Sequence, residues 1–393
     1  MESSGPEQFT DLEGDAFDDS KVRWRLFVRP LGILLAYGAL FAGVVYAYRT
    51  EGGDAVLIGG REIGTLDWVS LFALLAIALV VVSAVLKRPG RSVEFVRTFA
   101  RDRLAALGAL GTVVLVLVAL GGPLVYPRPE VDPVVSYQPP VGATVDDFIP
   151  VNCVGSTRDG VCRGTWEHPL GTDNGGKDLV HVVVYGLRTS LQIGVSAAVI
   201  AGGIGTTVGL VAGTFGGRVD RVLMRYVDIQ SAIPAFFVYV LVVAILSADF
   251  VLMAIIFGLL SWGGLARLVR SEVHRINTTL YVRAATASGA TTYYNLRYHV
   301  LPNIAGAVIV PLSALVPTFI LYAAALSFLG FGESDPRIVS LGNTIADGLS
   351  HSFANWWDVW WYPVVPAVAL TVLVLSILLV GDRLSQLSDP REQ

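Results

Sequence analysis

The stretch EVHRINTTLYVRAATASGATTYYNLRYHVLPN, from Glu272 to Asn303, is the most informative part of this chain. It lies between two strongly apolar segments, and small residues occupy its middle: Ala284, Ala285, Ser288 and Gly289. Because residues three or four positions apart share a face of a helix, these residues predict a helix face without bulk, which fits closely into a groove of another protein. Pro302 then ends the segment and begins the next apolar helix. The arginines in and just before the stretch are Arg267, Arg270, Arg275, Arg283 and Arg297.

The composition of the chain indicates a membrane protein. Of 393 residues, 53% are hydrophobic and 15% are charged, whereas a soluble domain carries about 25% charged residues. The net charge of −4 gives no reason to expect a nucleic acid as partner. The N-terminal residues 1–25 are polar and acidic, so we expect a cytoplasmic tail without a cleavable signal peptide.

Apolar segments long enough to cross a bilayer recur along the chain, since a spanning helix needs about 20 mainly apolar residues. The predicted spans are Leu26–Tyr48, Trp68–Leu86, Leu104–Leu120, Leu191–Phe215, Val222–Leu246, Phe250–Ala266, Ile304–Leu329 and Tyr362–Val380. The predicted fold class is therefore all-α, a polytopic α-helical membrane protein.

Basic residues predict the orientation, because lysine and arginine are enriched in cytoplasmic loops. They are concentrated between spans two and three, before span five and after span six, whereas the intervening loops are acidic. This alternation predicts a multi-pass protein of the cell membrane (plasma or inner membrane) with both termini in the cytoplasm. It makes residues 122–188 an outer loop and residues 267–302 a cytoplasmic loop.

Four stretches, in matching order, resemble the C-type permease subunit of dipeptide and oligopeptide importers, in the peptide/nickel family of binding-protein-dependent ABC transport inner-membrane components. They are His168–Gly194, Gly213–Ile229, the stretch quoted above, and ALSFLGFG at Ala325–Gly332. The resemblance covers the chain from about Phe99 to Arg391. It implies a six-helix type I ABC importer permease core in residues 89–393, with two extra N-terminal transmembrane helices in residues 26–88 and a boundary near Pro89.

The resemblance also implies partners and a role. The chain would form part of a translocation path for peptides and pair with a second homologous permease subunit in a heterodimer within the membrane lipid. Two ABC ATPase subunits would dock below it, and an extracellular solute-binding protein would deliver the solute. The chain itself would be no enzyme and would need no cofactor. Nickel or another small solute is the alternative within the family, and a secondary transporter is the alternative outside it.

Coupling to the ATPase is implied for residues 281–302, which we call the coupling segment. The residues implied in this contact are Tyr281, Arg283, Ala284, Ala285, Ser288, Gly289, Leu301 and Pro302. In the family this segment usually opens with an acidic residue at the place where Arg283 stands here. An alternative interpretation from spacing alone is an alanine-rich cytoplasmic loop without a partner.

The outer loop carries a second group of candidate residues: His168, Gly171, Asp173, Asn174 and Asp178. The sequence GTDNGGK matches the first seven positions of a phosphate-binding P-loop, but Asp178 stands where that motif needs serine or threonine. We interpret it instead as a turn in which Asp173 or Asn174 caps an interfacial helix. The resemblance places that helix at the outer mouth, facing the binding protein. The spacing of these residues predicts no metal site.

Three further groups have two interpretations each. Gly205, Gly209 and Gly213 predict close helix packing, with a lining of the translocation path as the alternative. Cys153 and Cys162 are a candidate disulfide in an oxidising exterior, with two free thiols as the alternative. The aromatic residues from Trp356 to Tyr362 are typical of a membrane interface, and contact with peptide side chains is the alternative.

Overall fold

The computed structural model describes residues 56–58, 61–87, 97–243, 245–246, 249–333, 338–350 and 355–388. Contacts between residues divide the chain after Trp68 into two units, Met1–Trp68 and Val69–Gln393. The first predicted span, Leu26–Tyr48, and the predicted boundary near Pro89 lie outside the described residues.

The first unit ends in a short antiparallel hairpin of β1 (Val56–Ile58) and β2 (Arg61–Ile63). Helix α1 (Thr65–Lys87) follows and continues into the second unit. At its start Asp67 accepts a hydrogen bond from the N–H of Gly64 at 3.0 Å, one half of a capping box. Farther along, the buried Ser70 accepts a hydrogen bond from Gln192 at 3.3 Å.

Six helical segments among the described residues are long and apolar enough to cross a membrane. They lie in α1, α2 (Arg103–Val125), α3 (Leu179–Phe215), α6 (Phe250–Leu260) with α7 (Gly263–Asn277), α10 (Leu301–Leu326) and α12 (Trp361–Ser388). The short helix α11 (Leu341–Leu349) lies between α10 and α12 in the sequence and packs against α12. The six segments confirm the α-helical membrane fold. Helix α3 begins well before the predicted Leu191, because its first turns lie ahead of the continuous apolar run that the prediction used.

The fifth predicted span, Val222–Leu246, is not one continuous helix in the structure. It consists of α4 (Gly217–Ser231) and α5 (Ala235–Val243), which are bent by 63° relative to each other. Pro234 lies at the break. Proline has no N–H to donate and disfavours helical backbone at the residue before it, so the helix ends ahead of Pro234.

Helix α3 runs through the middle of the second unit and packs against α2, α6, α7, α10 and α12. A Cβ atom on Gly209 would lie 2.6 Å from the carbonyl oxygen of Ala266, and one on Gly213 would lie 2.7 Å from Cβ of Val273. Glycine therefore lets the backbones of α3 and α7 approach closely. Leucine and valine side chains on the outer faces, such as Leu107 and Val372, are exposed and suited to lipid.

The segment between α2 and α3, residues 126–178, is not helical over most of its length. Its strands β3 (Thr144–Asp146), β4 (Thr157–Arg158) and β5 (Val161–Arg163) form a small antiparallel sheet in the order β3-β5-β4. A disulfide joins Cys153 to Cys162 in β5. The segment packs on the starts of α3 and α12 through a shared apolar cluster that includes Val145, Leu179 and Trp361.

Candidate functional site

The coupling segment folds into short helices that lead into a membrane helix. Helix α8 (Leu280–Ala287) is followed by α9 (Thr292–Asn295), a π-helical turn (Leu296–Val300) and then α10. Gly289 separates α8 from α9 with φ of 92°, a left-handed backbone that favours glycine. Thr291 caps α9, because its side-chain oxygen accepts a hydrogen bond from the N–H of Tyr294 at 3.2 Å.

Buried contacts fix the coupling segment to the membrane helices. Val282 is only 3% exposed and belongs to an apolar cluster with Val273 of α7 and Ile304 of α10. The side-chain amide of Asn295 donates to Thr286 Oγ1 at 2.9 Å, which ties α9 to α8. Apolar packing therefore joins α8 directly to α7 and α10.

The predicted contact residues of the coupling segment all reach the surface. Ala285 is partly exposed, and the other seven are exposed: Tyr281, Arg283, Ala284, Ser288, Gly289, Leu301 and Pro302. The ring of Tyr281 meets the ring of His299 edge to face, with centroids 5.6 Å apart. The Tyr281 hydroxyl also accepts a hydrogen bond from Asn303 at 3.4 Å. Small side chains and a fixed aromatic ring thus share the exposed surface of this segment.

The coupling segment contains basic residues but no acidic ones. Arg283 and Arg297 are exposed, and the sequence between Glu272 and Glu333 contains no acidic residue. A surface of this kind is complementary to an acidic patch on a partner.

An ion pair fastens α4 to α7 beside the coupling segment. Arg270 of α7 forms a two-pronged contact with Asp220 of α4, in which Arg270 Nη2 lies 2.6 Å from Asp220 Oδ2. Arg267, one turn earlier, donates to Ser231 at 2.9 Å and to Asp228 at 3.3 Å. Paired guanidinium and carboxylate groups of this geometry hold the two helices in one register.

The candidate residues of the 126–178 segment surround a turn in which Gly171 and Asp173 are buried, His168 and Asp178 are partly buried and Asn174 is exposed. Asp173 is 6% exposed, and its Oδ1 accepts hydrogen bonds from the N–H groups of Gly175 and Lys177, both at 2.8 Å. Burial raises the pKa of Asp173 above its ordinary value, against the lowering effects of Lys177 and of these hydrogen bonds. Burial, followed by the charge of Asp173, also raises the pKa of Tyr137 to about 12.

The prediction that Asp173 or Asn174 caps a helix was wrong. The cap of α3 is Asp178, whose Oδ1 accepts from the N–H of Val180 at 2.7 Å while Oδ2 bonds His168 Nδ1 at 2.9 Å. Asp173 instead closes its own turn, and Asn174 accepts a hydrogen bond from the hydroxyl of Tyr362 at 2.8 Å. Sequence alone offers several acids ahead of α3, and only the position of the first helical turn decides which one caps it.

The end of the aromatic run is buried, which the sequence prediction missed. Trp361 is fully buried, and its indole N–H donates to the carbonyl oxygen of Thr172 at 3.2 Å. A Cβ on Gly171, whose φ is 82°, would lie 2.7 Å from the Trp361 ring. Trp356, Trp357 and Trp360 remain exposed, as expected at an interface. No local signal separates Trp361 from its neighbours, because its partner lies far away in sequence.

Gln138 is a second residue of this segment that the prediction missed. It is buried, its amide donates to the carbonyl oxygen of Asn152 at 2.6 Å, and its side-chain oxygen accepts from the N–H of Val154 at 3.0 Å. These bonds hold both sides of Cys153, so the disulfide loop is attached to the body of the segment. The candidate residues thus lie in a folded segment that packs on the starts of α3 and α12.

The geometry defines the class of protein: a helical membrane component with an anchored, exposed coupling segment and a folded extramembrane segment. Residues 205–393 match the family model "Binding-protein-dependent transport system inner membrane component". Residues 91–140 match the N-terminal TM domain of oligopeptide transport permease C. The chain belongs to this family of binding-protein-dependent transport permeases.

Similar curated proteins are named as peptide permeases. The chain is 33% identical over 226 residues to the oligopeptide transport system permease protein OppC of Haemophilus influenzae, covering 58% of this chain and 71% of the relative. It is 36% identical over 227 residues to OppC of Escherichia coli K12, covering 58% and 73%. It is 34% identical over 228 residues to the dipeptide transport system permease protein DppC of Lactococcus lactis, covering 57% of this chain and 64% of that relative.

Proposed function

We propose that this chain is one permease subunit of an ATP-driven importer of peptides, paired with a second homologous permease. The relatives named as oligopeptide and dipeptide permeases support the choice of solute. The observation that carries the proposal is the coupling segment, which is exposed on one side and anchored to α7 and α10 on the other. In this proposal ATP hydrolysis takes place in two separate ATPase subunits.

The coupling segment would transmit the motion of the ATPase. Helix α8 would dock with its small exposed residues in a groove of the ATPase, because side chains as small as Ala284 and Ser288 let the two backbones approach closely. Val282 and Asn295 would then carry the displacement into α7 and α10. The membrane helices would alternate between an inward-open and an outward-open arrangement in step with ATP hydrolysis.

The partner groove would be acidic in this protein. Arg283 and Arg297 are the charged residues of an otherwise neutral, acid-free segment. Where the family usually has an acidic residue, this chain has Arg283, so we infer that its ATPase carries an acid at the corresponding place. On the opposite side of the membrane, the 126–178 segment would face the solute-binding protein.

Substitution of Ser288 tests the coupling role. Ser288 is exposed and has φ of −82°, so tryptophan fits its backbone, whereas any side chain at Gly289 would strain the backbone and confuse the result. We expect Ser288→Trp to lower ATP-driven peptide uptake by reconstituted complexes about tenfold or more, equivalent to at least about 1.4 kcal/mol of lost docking energy. Ser288→Ala is the matched control and should transport normally. Wild-type uptake by Ser288→Trp would contradict the proposal.

A further inference from the structure

Two membrane helices are interrupted side by side. The break between α4 and α5 falls at residues 232–234, and the break between α6 and α7 falls at Ser261 and Trp262. The side-chain amide of Gln230, at the end of α4, donates to the carbonyl oxygen of Leu259, at the end of α6, at 2.8 Å. A Cβ on Gly263 would lie 2.8 Å from Ser231 Oγ. The two breaks are therefore adjacent and at the same level.

That level lies within the membrane-spanning part of α3, about one helical turn from Arg267, where the predicted cytoplasmic loop begins. Gly205 lies near the centre of the apolar run Leu191–Phe215 of α3, and a Cβ on it would lie 2.9 Å from the carbonyl oxygen of Trp262. Helices α5 and α6, with 9 and 11 residues, have lengths of about 14 and 17 Å. Each length is about half of a bilayer core of roughly 30 Å.

The two breaks enclose an open cavity of about 280 Å³. Its wall includes the hydroxyl-bearing residues Ser231, Ser261 and Tyr322, the ring of Phe236, and Gly264 in the first turn of α7. The first N–H groups of α7 have no acceptor within the helix. Among the described residues that line the cavity, none is acidic or basic. We call this space the break cavity.

Physical chemistry favours a polar occupant in the break cavity. Irregular backbone at membrane depth is tolerated only where it is buried in protein or lines a hydrated cavity. Secondary transporters, a different class of membrane transporter, form solute sites from interrupted helices for the same reason. Ser231 and Gly264 are exposed, so among the described residues the cavity is open on one side.

We propose that the break cavity is where the transported peptide contacts this subunit, mainly through the peptide main chain. This inference rests on the proposed function. A main chain offers uncharged N–H and C=O groups, which match the hydroxyls of the cavity wall and the first backbone N–H groups of α7. Arg267, the charged residue that donates to Ser231, is already paired with Asp228. The rings of Phe236 and Tyr322, which contact each other edge to face, supply an apolar wall. The volume lies near the lower end of the roughly 300–1,000 Å³ typical of ligand pockets, which suits a short stretch of chain.

Filling the break cavity should block transport without disturbing the fold. A Cβ on Gly264 meets no atom within 4 Å, so the side chain of Gly264→Leu projects into open space. Gly203→Leu is the matched control, because Gly203 is an exposed glycine of α3 whose Cβ also meets nothing within 4 Å. The assay is ATP-driven uptake of di-, tri- and tetra-alanine by the complete complex in proteoliposomes.

We expect Gly264→Leu to lower uptake of all three peptides by about tenfold or more, while ATP hydrolysis and the uptake of Gly203→Leu stay near the wild-type level. Wild-type uptake by Gly264→Leu would overturn the proposal. If wild-type complexes take up none of the peptides, both the peptide assignment and this proposal fail. A thiol-reaction experiment separates these failures.

The chain has two cysteines, both in the disulfide, so a cysteine placed at Ser261 is the only free thiol. Ser261→Cys should react with a small water-soluble methanethiosulfonate, and tri-alanine during ATP turnover should slow that reaction. Gly203→Cys, on the outer face of α3, should stay unreactive. An unreactive Ser261→Cys would mean a lipid-filled cavity and would overturn the inference, even if peptide transport itself is confirmed. Reaction without slowing by peptide would also overturn it.

Discussion

A single buried carboxylate organises the 126–178 segment. Asp173 accepts two backbone hydrogen bonds through one oxygen, and its main-chain carbonyl accepts a third from the N–H of Tyr137 at 3.1 Å. Net stabilisation of about 0.5–1.5 kcal/mol for each hydrogen bond is typical. Burial of the charge opposes this gain, which is why the pKa of Asp173 is raised.

Asp173 should make the stability of the protein depend on pH. Because its pKa in the folded state lies above the ordinary 3.8, folding is favoured by protonation, and this contribution is lost as pH rises through the raised value. An asparagine side chain at this position would keep both hydrogen bonds without the charge. We therefore expect Asp173→Asn to be at least as thermally stable as wild type at pH 7, with the difference shrinking towards pH 4.

Thermal unfolding of the detergent-solubilised protein, followed by tryptophan fluorescence, measures this difference. Asp173→Ala is the comparison variant, because it loses both side-chain hydrogen bonds and should be less stable by about 1–3 kcal/mol. Equal pH profiles for wild type and Asp173→Asn would show that the Asp173 carboxyl does not contribute in this way.

Substitution of Arg283 tests whether the groove on the partner ATPase is acidic. Because the coupling segment holds no acid to compensate it, Arg283→Glu places a negative charge against the acidic groove that we propose. We expect the affinity of the ATPase to fall about tenfold at low salt and the loss to shrink at high salt. Arg283→Lys keeps the charge and serves as control. Unchanged binding of Arg283→Glu at low salt would argue against an acidic groove.

At the scale of helices, the contact between α3 and α7 is set by glycine. A Cβ on Gly209 would lie 2.6 Å from a backbone carbonyl oxygen, which cannot rotate away as a side chain can. Gly209→Ala should therefore push the helices apart and destabilise the protein by about 1–3 kcal/mol, in the range of overpacked cores. Gly203→Ala, which meets open space, should leave the melting temperature unchanged. Equal melting of both variants would mean that this contact contributes little.

The membrane-spanning helices could be predicted from the sequence, because a run of about 20 apolar residues is visible without knowledge of tertiary contacts. Helices α2, α3, α10 and α12 follow directly from apolar runs such as Leu104–Leu120. The break at Pro234 also has a local cause, and the proline marks it. The break at Ser261 has no proline and depends on the packing of α6 and α7 against α3 and α4, which a single sequence does not display.

The candidate sites divide in the same way. The exposed residues of the coupling segment were predictable, because its small residues lie close together in the sequence and are followed by Pro302. The roles of Gln138, Thr172 and Trp361 were not, because their hydrogen bonds join residues that are distant in the chain. The same holds for the break cavity, whose lining residues come from five helices, α4, α5, α6, α7 and α10.

At the scale of the whole molecule, the charge distribution predicts which side of the membrane each segment occupies. Ser350 and Ser271 are both exposed serines, so cysteine at either place is a matched, conservative change. We expect Ser350→Cys to react with an impermeant maleimide from outside intact cells. Ser271→Cys should react only after the membrane is permeabilised. The reverse pattern would overturn the orientation and, with it, the side on which the ATPase docks.

Isolation of the complex tests whether this chain is the membrane half of an ATP-driven importer. The full-length chain, tagged and expressed at native level, would be purified from gently solubilised membranes and its partners identified by mass spectrometry. We expect the wild-type chain to copurify with a second permease and an ATPase, and Ser288→Trp to copurify with the second permease but without the ATPase. A wild-type chain recovered alone, or only with copies of itself, would contradict the claim that it is the membrane half of an ATP-driven importer.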